Sequence, residues 1–385
     1  MELVLQKARK DVPTHMTIIT QNCQNVKVYV TNGGKKRKSH ATLLKEARAK
    51  ARRKERKEGE RDPLIERVGQ KRRDALEIAQ KMEKIGLERR AEAIKSCGTV
   101  LEVQHCNDCG TDTIKHANFC RDRLCPMCAW RLSLKRYKIM SAAIEAIRKT
   151  QPEVLRHASL VTLTVRCCQP EDLPATLSSM SEAWRYTISQ RWARKALEGW
   201  GRSLEITYNH VKKWLHPHFH VLLLSSCEDT AKALINEWCR QASARGLAVD
   251  LAAQDASIIS ADKEGENLLV KGIMECYKYS IKASDTLSMP LGALRAVALG
   301  LAGRRLIATG GILKQTLAAM QADLETLSES DTTDATPECP KCHSQRIDEI
   351  IWKWCAESNA YLAISGNSQS VANAALMSRD GFLII

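Results

Sequence analysis

The sequence has no run of about 18 consecutive apolar residues, the length that a membrane-spanning helix needs. Its N-terminus also lacks the basic and then apolar layout of a secretory signal peptide. We therefore expect a cytoplasmic protein that makes no membrane contact. No internal repeat is present, which argues against a repeat architecture. With 385 residues, of which 44% are apolar, the chain is long enough for two or three domains with a substantial core.

Acidic residues are scarce relative to basic ones. The chain has 44 Asp and Glu against 59 Lys and Arg, which gives a formal net charge of +15, and the sequence pI is about 9.2. Such a surplus attracts polyanions and speeds their capture. Much of the charge lies between Lys35 and Arg61. This stretch is either a solvated, partly helical tail or a flexible arm that holds DNA phosphates without reading sequence.

Cysteine is abundant, at 15 residues, but the count is odd and the chain is long and lacks a signal. These features favour metal binding over a disulfide framework. Two Cys-x-x-Cys pairs lie close together in sequence and predict one tetrahedral zinc site, with Cys106, Cys109, Cys125 and Cys128 as its ligands. Cys97 and Cys120 lie nearby, and spacing alone does not choose the correct four among the six.

A third cysteine pair lies near the C-terminus, at Cys339 and Cys342, and Cys355 follows it. These three thiols indicate either a second zinc site in a small separate module or cysteines without a metal. The fourth ligand is open between the neighbouring imidazole of His343 and a cysteine from elsewhere, such as Cys97.

The most informative segment for chemistry is a histidine-rich strand, His216–Leu224. Side chains alternate faces along a strand, so His218 and His220 point the same way and can share a divalent cation. Two imidazoles alone hold a hard cation such as Mg²⁺ or Mn²⁺ weakly, so a third ligand is expected. Glu205, on the preceding strand, and His216, of the same parity, are the two candidates. Glu205 could equally be an exposed strand residue.

A second group of polar residues lies on a predicted helix, Val270–Ala283. Glu275, Tyr279 and Lys282 are spaced i, i+4 and i+7, which puts them on one helical face. A phenol in this setting can attack a phosphodiester. Lys282 would stabilise the developing charge and Glu275 would act as a base in a later step. The alternative is an amphipathic surface helix with Tyr277 or Tyr279 packed against a sheet.

At these residues the sequence resembles the HUH endonucleases, and among them the single-tyrosine initiators of plasmid rolling-circle replication. Three motifs match in order, and a cysteine block precedes them, as in such initiators: Thr162–Thr164, His216–Leu223, Glu275–Lys282 and, before these, Cys120–Arg131. The resemblance covers about residues 97 to 300. It places the metal-binding pair on His218 and His220, the nucleophile on Tyr279 and the termination glutamate on Glu275.

This resemblance implies an α+β fold, an antiparallel sheet flanked by helices, with the tyrosine helix facing the histidine strand. It also implies that the tyrosine nicks one strand of the origin and leaves a 3′-OH primer. The partners it implies are plasmid origin DNA, double- and single-stranded, together with the host helicase and polymerase. Whether the protein acts as a monomer or a homodimer is left open.

The predicted elements divide the chain into five segments: a basic, partly disordered or helical accessory region at 1–96, a cysteine-rich zinc module at 97–131, a nicking–joining domain at 132–323, a linker at 324–338, and a C-terminal cysteine module and tail at 339–385. The predicted elements of the nicking–joining domain include the strands Leu160–Val165, Ser203–Tyr208 and His216–Leu224 and the helices Trp184–Leu197, Ala231–Ala242, Val270–Ala283 and Leu291–Leu299.

Two other functions compete with this interpretation. One is a transposase of the same superfamily, in which two tyrosines usually pair around a helix turn. Tyr277 and Tyr279 would diverge by about 200° on a helix, which disfavours that pairing. The other is a non-enzymatic, zinc-containing DNA-binding protein in which the histidines are structural.

Overall fold

The computed structural model describes residues 63–259, 265–277, 282–320 and 338–364, all of which belong to one unit of the chain. Three of the sequence predictions concern residues outside these ranges. They are the basic stretch Lys35–Arg61, the linker as far as Pro337, and the candidate nucleophile Tyr279.

The described residues form ten helices and nine strands, apart from short 3-10 turns. The helices are α1 Pro63–Lys84, α2 Glu88–Ser96, α3 Pro126–Thr150, α4 Leu173–Ser189, α5 Arg191–Ala196, α6 Thr230–Ser243, α7 Gly265–Tyr277, α8 Ala283–Ser288, α9 Leu291–Gly300 and α10 Gly311–Ala319. The strands are β1 Val100–Cys106, β2 Asp112–Ala117, β3 Ser159–Thr164, β4 Gly199–Asn209, β5 Trp214–Leu224, β6 Asp255–Ile258, β7 Ile307–Gly310, β8 Ile347–Cys355 and β9 Ala360–Ile364.

The larger sheet has five strands in the order β6-β3-β5-β4-β7, and every neighbouring pair is antiparallel. Its centre is the β4–β5 hairpin. At the turn, the side-chain oxygen of Asn209 accepts hydrogen bonds from the backbone N–H groups of Val211 and Lys212. Lys213 then takes a φ of 57°, which reverses the chain into β5. This turn sets the register in which Glu205 lies opposite His218.

Helices cover both faces of this sheet, so the predicted α+β fold, an antiparallel sheet flanked by helices, is confirmed. On one face, Phe219 packs edge-to-face against Trp184 of α4 and Trp238 of α6. On the other face, Leu222 and Leu224 belong to a core that α3, α7 and α10 complete. The histidine pair occupies the continuation of this second face along β5, so the site is anchored by a buried apolar strand end.

The smaller sheet has four strands in the order β2-β1-β8-β9. Strand β1 pairs along its whole length with β8, from Val100 opposite Lys353 to Cys106 opposite Ile347. The cysteine segments predicted as separate modules at 97–131 and 339–385 therefore form a single sheet, and that part of the prediction is wrong. The spacing of the cysteines within a segment predicts the turns of that segment. It does not indicate which strands from distant parts of the chain pair with each other.

Residues 63–96, assigned by sequence to an accessory region, form the two helices α1 and α2. Their apolar residues are buried in the same core as Val161 and Phe219 of the large sheet. Buried Arg72 of α1 donates a 3.1 Å hydrogen bond to the carbonyl oxygen of Ile94 in α2. The boundary predicted at residue 96 is thus not a boundary between separate cores.

Two predicted helices have different limits in the structure. The helix expected over Trp184–Leu197 is interrupted at Gln190, whose extended backbone separates α4 from α5. The helix expected over Val270–Ala283 starts earlier, at Gly265, and Lys282 has an extended backbone with φ −69° and ψ 141°. Lys282 therefore lies outside the helix that carries Glu275. The helices predicted at Ala231–Ala242 and Leu291–Leu299 are confirmed within one residue at each end.

Among the described residues, no helix combines the length and the apolar character that crossing a bilayer requires.

Candidate metal centre and cysteine clusters

Three side chains of types that ligate metals converge on one face of the large sheet. His218 and His220 alternate with Phe219 on β5, and Glu205 comes from the neighbouring strand β4. The Glu205 Oε2 atom lies 2.9 Å from His220 Nε2 and 3.5 Å from His218 Nε2. All three side chains are buried, and their donor atoms lie within 4.8 Å of one another. A buried carboxylate between two imidazoles is a donor set that suits a divalent cation.

The other ring nitrogens of the two histidines face oxygen atoms of the sheet. His218 Nδ1 lies 3.3 Å from the carbonyl oxygen of His216, and His220 Nδ1 lies 3.4 Å from Thr162 Oγ1. Such outer contacts orient imidazole ligands and select the tautomer that leaves Nε2 free for a metal. Thr162 was noted in the sequence only as part of a motif. Its position opposite His220 in the β3–β5 register explains its place beside the site.

His216 does not join the donor set. Its Nε2 atom forms a hydrogen bond with the hydroxyl of Thr164, and its ring stacks on His218 with centroids 5.2 Å apart. Burial lowers the pKa of His216, and the neighbouring His218 lowers it further. Of the two candidates for third ligand, the structure brings Glu205 to the histidine pair and turns His216 towards Thr164.

Helix α7 lies against this face of the sheet and brings Glu275 close to the histidines. The Glu275 Oε1 atom is 3.8 Å from His220 Nε2, and its side chain is 39% exposed. Glu275 thus borders the donor set while remaining open to a solvent-borne substrate.

Tyr277, two residues further along α7, is fully buried against the sheet. Its hydroxyl has no hydrogen-bond partner within the described part of the chain, and burial raises its pKa well above the usual value. A Cβ atom at Gly201 of β4 would lie only 1.8 Å from that hydroxyl, so the glycine is what makes room for the phenol. A phenol held in this position can neither reach a phosphodiester nor ionise readily.

We expect Gly201→Ala to destabilise the protein by roughly 1–3 kcal/mol, because the new methyl group overpacks the space that Tyr277 fills. Adding Tyr277→Phe should recover part of this loss, since the nearest contact then becomes the ring carbon at 3.1 Å. Urea unfolding monitored by circular dichroism measures both changes.

The matched control is Gly292→Ala in α9, where an added Cβ would meet nothing within 4 Å. This variant should be neutral or more stable by up to about 1 kcal/mol, the usual helix preference for alanine. Equal midpoints for the Gly201→Ala variant and the unchanged protein would contradict the packing described for Tyr277.

Lys282 lies at the start of α8 instead of on the helical face of Glu275. It borders a cavity of about 350 Å³ between α1, the loop before α3 and α8, together with Lys71 and Arg123. The i, i+7 spacing puts Lys282 on the face of Glu275 only if Lys282 is part of the same helix. The extended backbone at Lys282 does not meet that condition. A direct role for Lys282 beside Glu275 is therefore not supported by the geometry.

The cysteines form two clusters of four, but the membership differs from the prediction. One cluster contains Cys97, Cys120, Cys125 and Cys128, and the other contains Cys106, Cys109, Cys339 and Cys342. The four cysteines predicted as a single site are thus divided between two clusters. Cys355 lies outside both, so the prediction of this residue as a ligand is wrong.

The first cluster joins the loop before α3 to the end of α2. The sulfur of Cys128 lies 3.5 Å from that of Cys97 and 3.6 Å from that of Cys120. The backbone N–H of Arg121 donates a 3.1 Å hydrogen bond to the same sulfur, from a residue with a φ of 62°. Hydrogen bonds from the other three thiols hold the pKa of Cys125 well below its usual value. Four sulfurs at this separation fit the edges of a tetrahedral zinc site, about 3.8 Å for Zn–S bonds of about 2.3 Å.

Comparison with known proteins adds the family to this geometry. A family model described as replication protein matches residues 111–362, well over half of the chain. The chain belongs to this family. The match contains the whole β3–β5 region with the histidine pair, together with β8 and the first part of β9 as far as Leu362. The resemblance to plasmid replication proteins indicated by the motifs is therefore confirmed.

Several relatives in this replication-protein family carry the name Protein rep. One from a Bacillus species is 32% identical over 247 residues, covering 59% of this chain and 79% of the relative. One from Bacillus amyloliquefaciens is 32% identical and covers 59% and 72%. One from Streptococcus pneumoniae is 30% identical and covers 63% and 75%. No solved structure matches the chain.

Proposed function

We propose that this replication protein initiates rolling-circle replication of a plasmid by nicking one strand at the double-strand origin. The observation that carries the proposal is the buried set of Glu205, His218 and His220, bordered by Glu275 on α7. The family supports a role in replication, and the donor set supplies the chemistry by which replication would start.

A divalent ion, Mg²⁺ or Mn²⁺, would be held by Glu205, His218 and His220. The fit follows from the mixed oxygen and nitrogen donors, their burial, and the outer contacts of both imidazoles to His216 and Thr162. When bound, such an ion polarises a phosphate oxygen and makes phosphorus more electrophilic. The protein's own contribution is to hold the three donors on a rigid sheet, so that the scissile phosphate is positioned before reaction.

The nucleophile in this proposal is Tyr279. The phenolic oxygen attacks phosphorus, the bond from phosphorus to the 3′ oxygen breaks, and the 5′-phosphate remains as a tyrosine ester. The tyrosine proton is released and the 3′ oxygen leaves with the bonding electrons as a primer hydroxyl after protonation. Tyr277 is excluded from this role because its side chain is buried and packs in the hydrophobic core. Its burial also disfavours a paired-tyrosine transposase.

Glu275 is assigned to termination. A carboxylate at the edge of the site, 3.8 Å from His220, can accept a proton from a water molecule or from a DNA hydroxyl in a second transfer.

The role proposed for Lys282 is contact with DNA phosphate. Its side chain is one of three cations around the cavity beside α8. Origin DNA is the proposed partner in duplex and single-stranded form, with the host helicase and polymerase acting after the nick.

The experiment that tests the proposal is capture of the covalent intermediate. The full chain is incubated with Mn²⁺ and a single-stranded origin oligonucleotide in which sulfur replaces the 3′ bridging oxygen at the nick site. Cleavage then releases a 3′ thiolate, which attacks the phosphotyrosine poorly, so the adduct accumulates and is digested and sequenced by mass spectrometry. We expect the nucleotide on Tyr279. An adduct on Tyr277 or on a serine, or no adduct with any strand of the origin, would overturn the proposed nucleophile.

A further inference from the structure

The second cysteine cluster is built from two turns that are far apart in the chain. Cys106 and Cys109 belong to the β1–β2 turn, and Cys339 and Cys342 belong to the turn that precedes β8. Sulfur atoms pair across the two turns at 3.5 Å, Cys106 with Cys342 and Cys109 with Cys339. These residues are 236 and 230 positions apart in sequence. None of the four forms a disulfide bond in the structure, and their sulfur atoms all lie within 4.8 Å of one another.

The two turns have the same backbone form. Gly110 follows Cys109 with a φ of 64°, and His343 follows Cys342 with a φ of 58°. In each turn the N–H of that residue donates to the carbonyl oxygen of the first cysteine, at 2.8 Å for Gly110 and 2.9 Å for His343. Two such turns facing each other present four sulfurs to one point, as in zinc ribbons. A histidine in the left-handed region is uncommon and costs free energy, so the local fold must hold it there.

His343 itself faces away from the cluster. Its exposed ring forms a 2.9 Å hydrogen bond through Nδ1 with Glu338. The sequence offers the imidazole of His343 as a fourth ligand. In the structure, two sulfur atoms from the β1–β2 turn complete the group of four instead. The reason is the β1–β8 pairing, which brings Cys106 and Cys109 to the position that a third and fourth ligand must occupy.

Additional contacts keep the two turns face to face. The N–H of Asn107 donates to the carbonyl oxygen of Arg346 at 2.9 Å. The guanidinium of Arg346 lies 3.1 Å from the carboxylate of Asp108, which also accepts a hydrogen bond from the hydroxyl of Ser344. The exposed ion pair contributes little alone. Together these contacts fix the approach of the turns, which is what a preorganised metal site requires.

We propose that Cys106, Cys109, Cys339 and Cys342 bind one zinc ion, and that this ion joins the C-terminal hairpin β8–β9 to the hairpin β1–β2. The hairpin held in this way also supports the first cluster, because the hydroxyl of buried Tyr361 in β9 donates to the carbonyl oxygen of Gly98, next to Cys97. The protein would then contain two structural zinc ions, and one of them would connect two turns whose paired cysteines are 236 and 230 residues apart. This inference is independent of the proposed nicking activity.

A rival arrangement is a pair of disulfides, Cys106 to Cys342 and Cys109 to Cys339, since these are the closest sulfurs. It predicts a covalent cross-link, a mass lower by four hydrogens, and no metal at this place. A zinc site predicts four alkylatable thiols after denaturation in chelator without reductant. Intact mass spectrometry of the full chain, denatured with and without reductant, separates these two states.

The main test is the zinc content of the purified full chain, measured by elemental analysis after exhaustive dialysis. We expect two zinc ions per chain, and one in the variant Cys339→Ser with Cys342→Ser. The control Cys355→Ser lies in the same hairpin but outside the cluster, and should keep both ions. The same zinc content in the double variant and in the unchanged protein would overturn the proposal.

A conservative variant covers the case in which the serine variant fails to fold. Cys342 is exposed, so Cys342→His can be accommodated while keeping a ligand atom. In the cobalt-substituted protein, replacing one thiolate by imidazole should reduce the sulfur-to-cobalt charge-transfer absorption by about one eighth and move the d–d bands to higher energy. An unchanged cobalt spectrum for this variant would show that Cys342 is not a ligand.

Discussion

Tyr279→Phe is expected to abolish nicking of supercoiled origin plasmid, with a loss of at least about 10³-fold in the cleavage rate. The substitution removes the oxygen that would form the bond to phosphorus, and no other group in the proposed chemistry supplies it. The measurement is the conversion of supercoiled to open-circular plasmid by the full chain in Mn²⁺, followed on agarose gels after protease treatment.

Tyr277→Phe is the matched control, because it makes the same chemical change two residues away. Tyr277 contributes a buried hydroxyl with no partner among the described residues, so its loss should leave the fold as stable or slightly more stable. This variant should nick within a few-fold of the unchanged protein. If the two variants exchange these behaviours, Tyr277 is the nucleophile, and the packing of α7 on the sheet must be different during the reaction.

Changes to the outer contacts of a metal site typically weaken metal binding by about 10- to 100-fold. Glu205→Gln alters a proposed charged ligand itself, so we expect it to weaken Mn²⁺ binding by more than that. Glutamine keeps the size of the side chain and one oxygen acceptor but removes the negative charge between His218 and His220. The affinity is measured from the electron paramagnetic resonance signal of free Mn²⁺ during titration. The nicking rate should fall in parallel at low Mn²⁺ and recover in part when Mn²⁺ is raised.

His216→Gln is the comparison for that measurement, since His216 has the same strand parity as the pair but turns to Thr164. Its effect on Mn²⁺ affinity should be far smaller than that of Glu205→Gln. The opposite order of the two variants would identify His216 as the third ligand and assign Glu205 a purely structural hydrogen bond. Far-ultraviolet circular dichroism shows whether either variant has lost the sheet.

The centre of the site could be predicted from sequence because its geometry is local. Alternation along β5 is sufficient to place His218 and His220 on one face, and a short hairpin turn is sufficient to bring β4 alongside. The choice between Glu205 and His216 was beyond the sequence. It depends on the register of the β4–β5 hairpin and on the hydroxyl of Thr164 in β3, which forms a hydrogen bond with His216.

The cysteine clusters show where such reasoning ends. A Cys-x-x-Cys pair predicts a metal-binding turn, but the identity of the facing turn depends on strand pairing across the chain. Closeness in sequence predicts that the pair Cys106–Cys109 shares a site with the pair Cys125–Cys128. The structure instead connects the first to Cys339–Cys342 and the second to Cys97 and Cys120. Similarly, periodicity placed Lys282 on a helix whose described part ends at Tyr277.

The pairing of β1 with β8 has a consequence for how the protein is made. Cys106 leaves the ribosome long before Cys342, which lies 236 residues later. At roughly 5–20 residues per second the interval is on the order of 10–50 s. Throughout that time the first hairpin exposes an unpaired strand edge and two thiols without their partners. Until Cys339 and Cys342 have been translated, the newly synthesised chain is therefore open to aggregation at this strand edge and to oxidation of the two thiols.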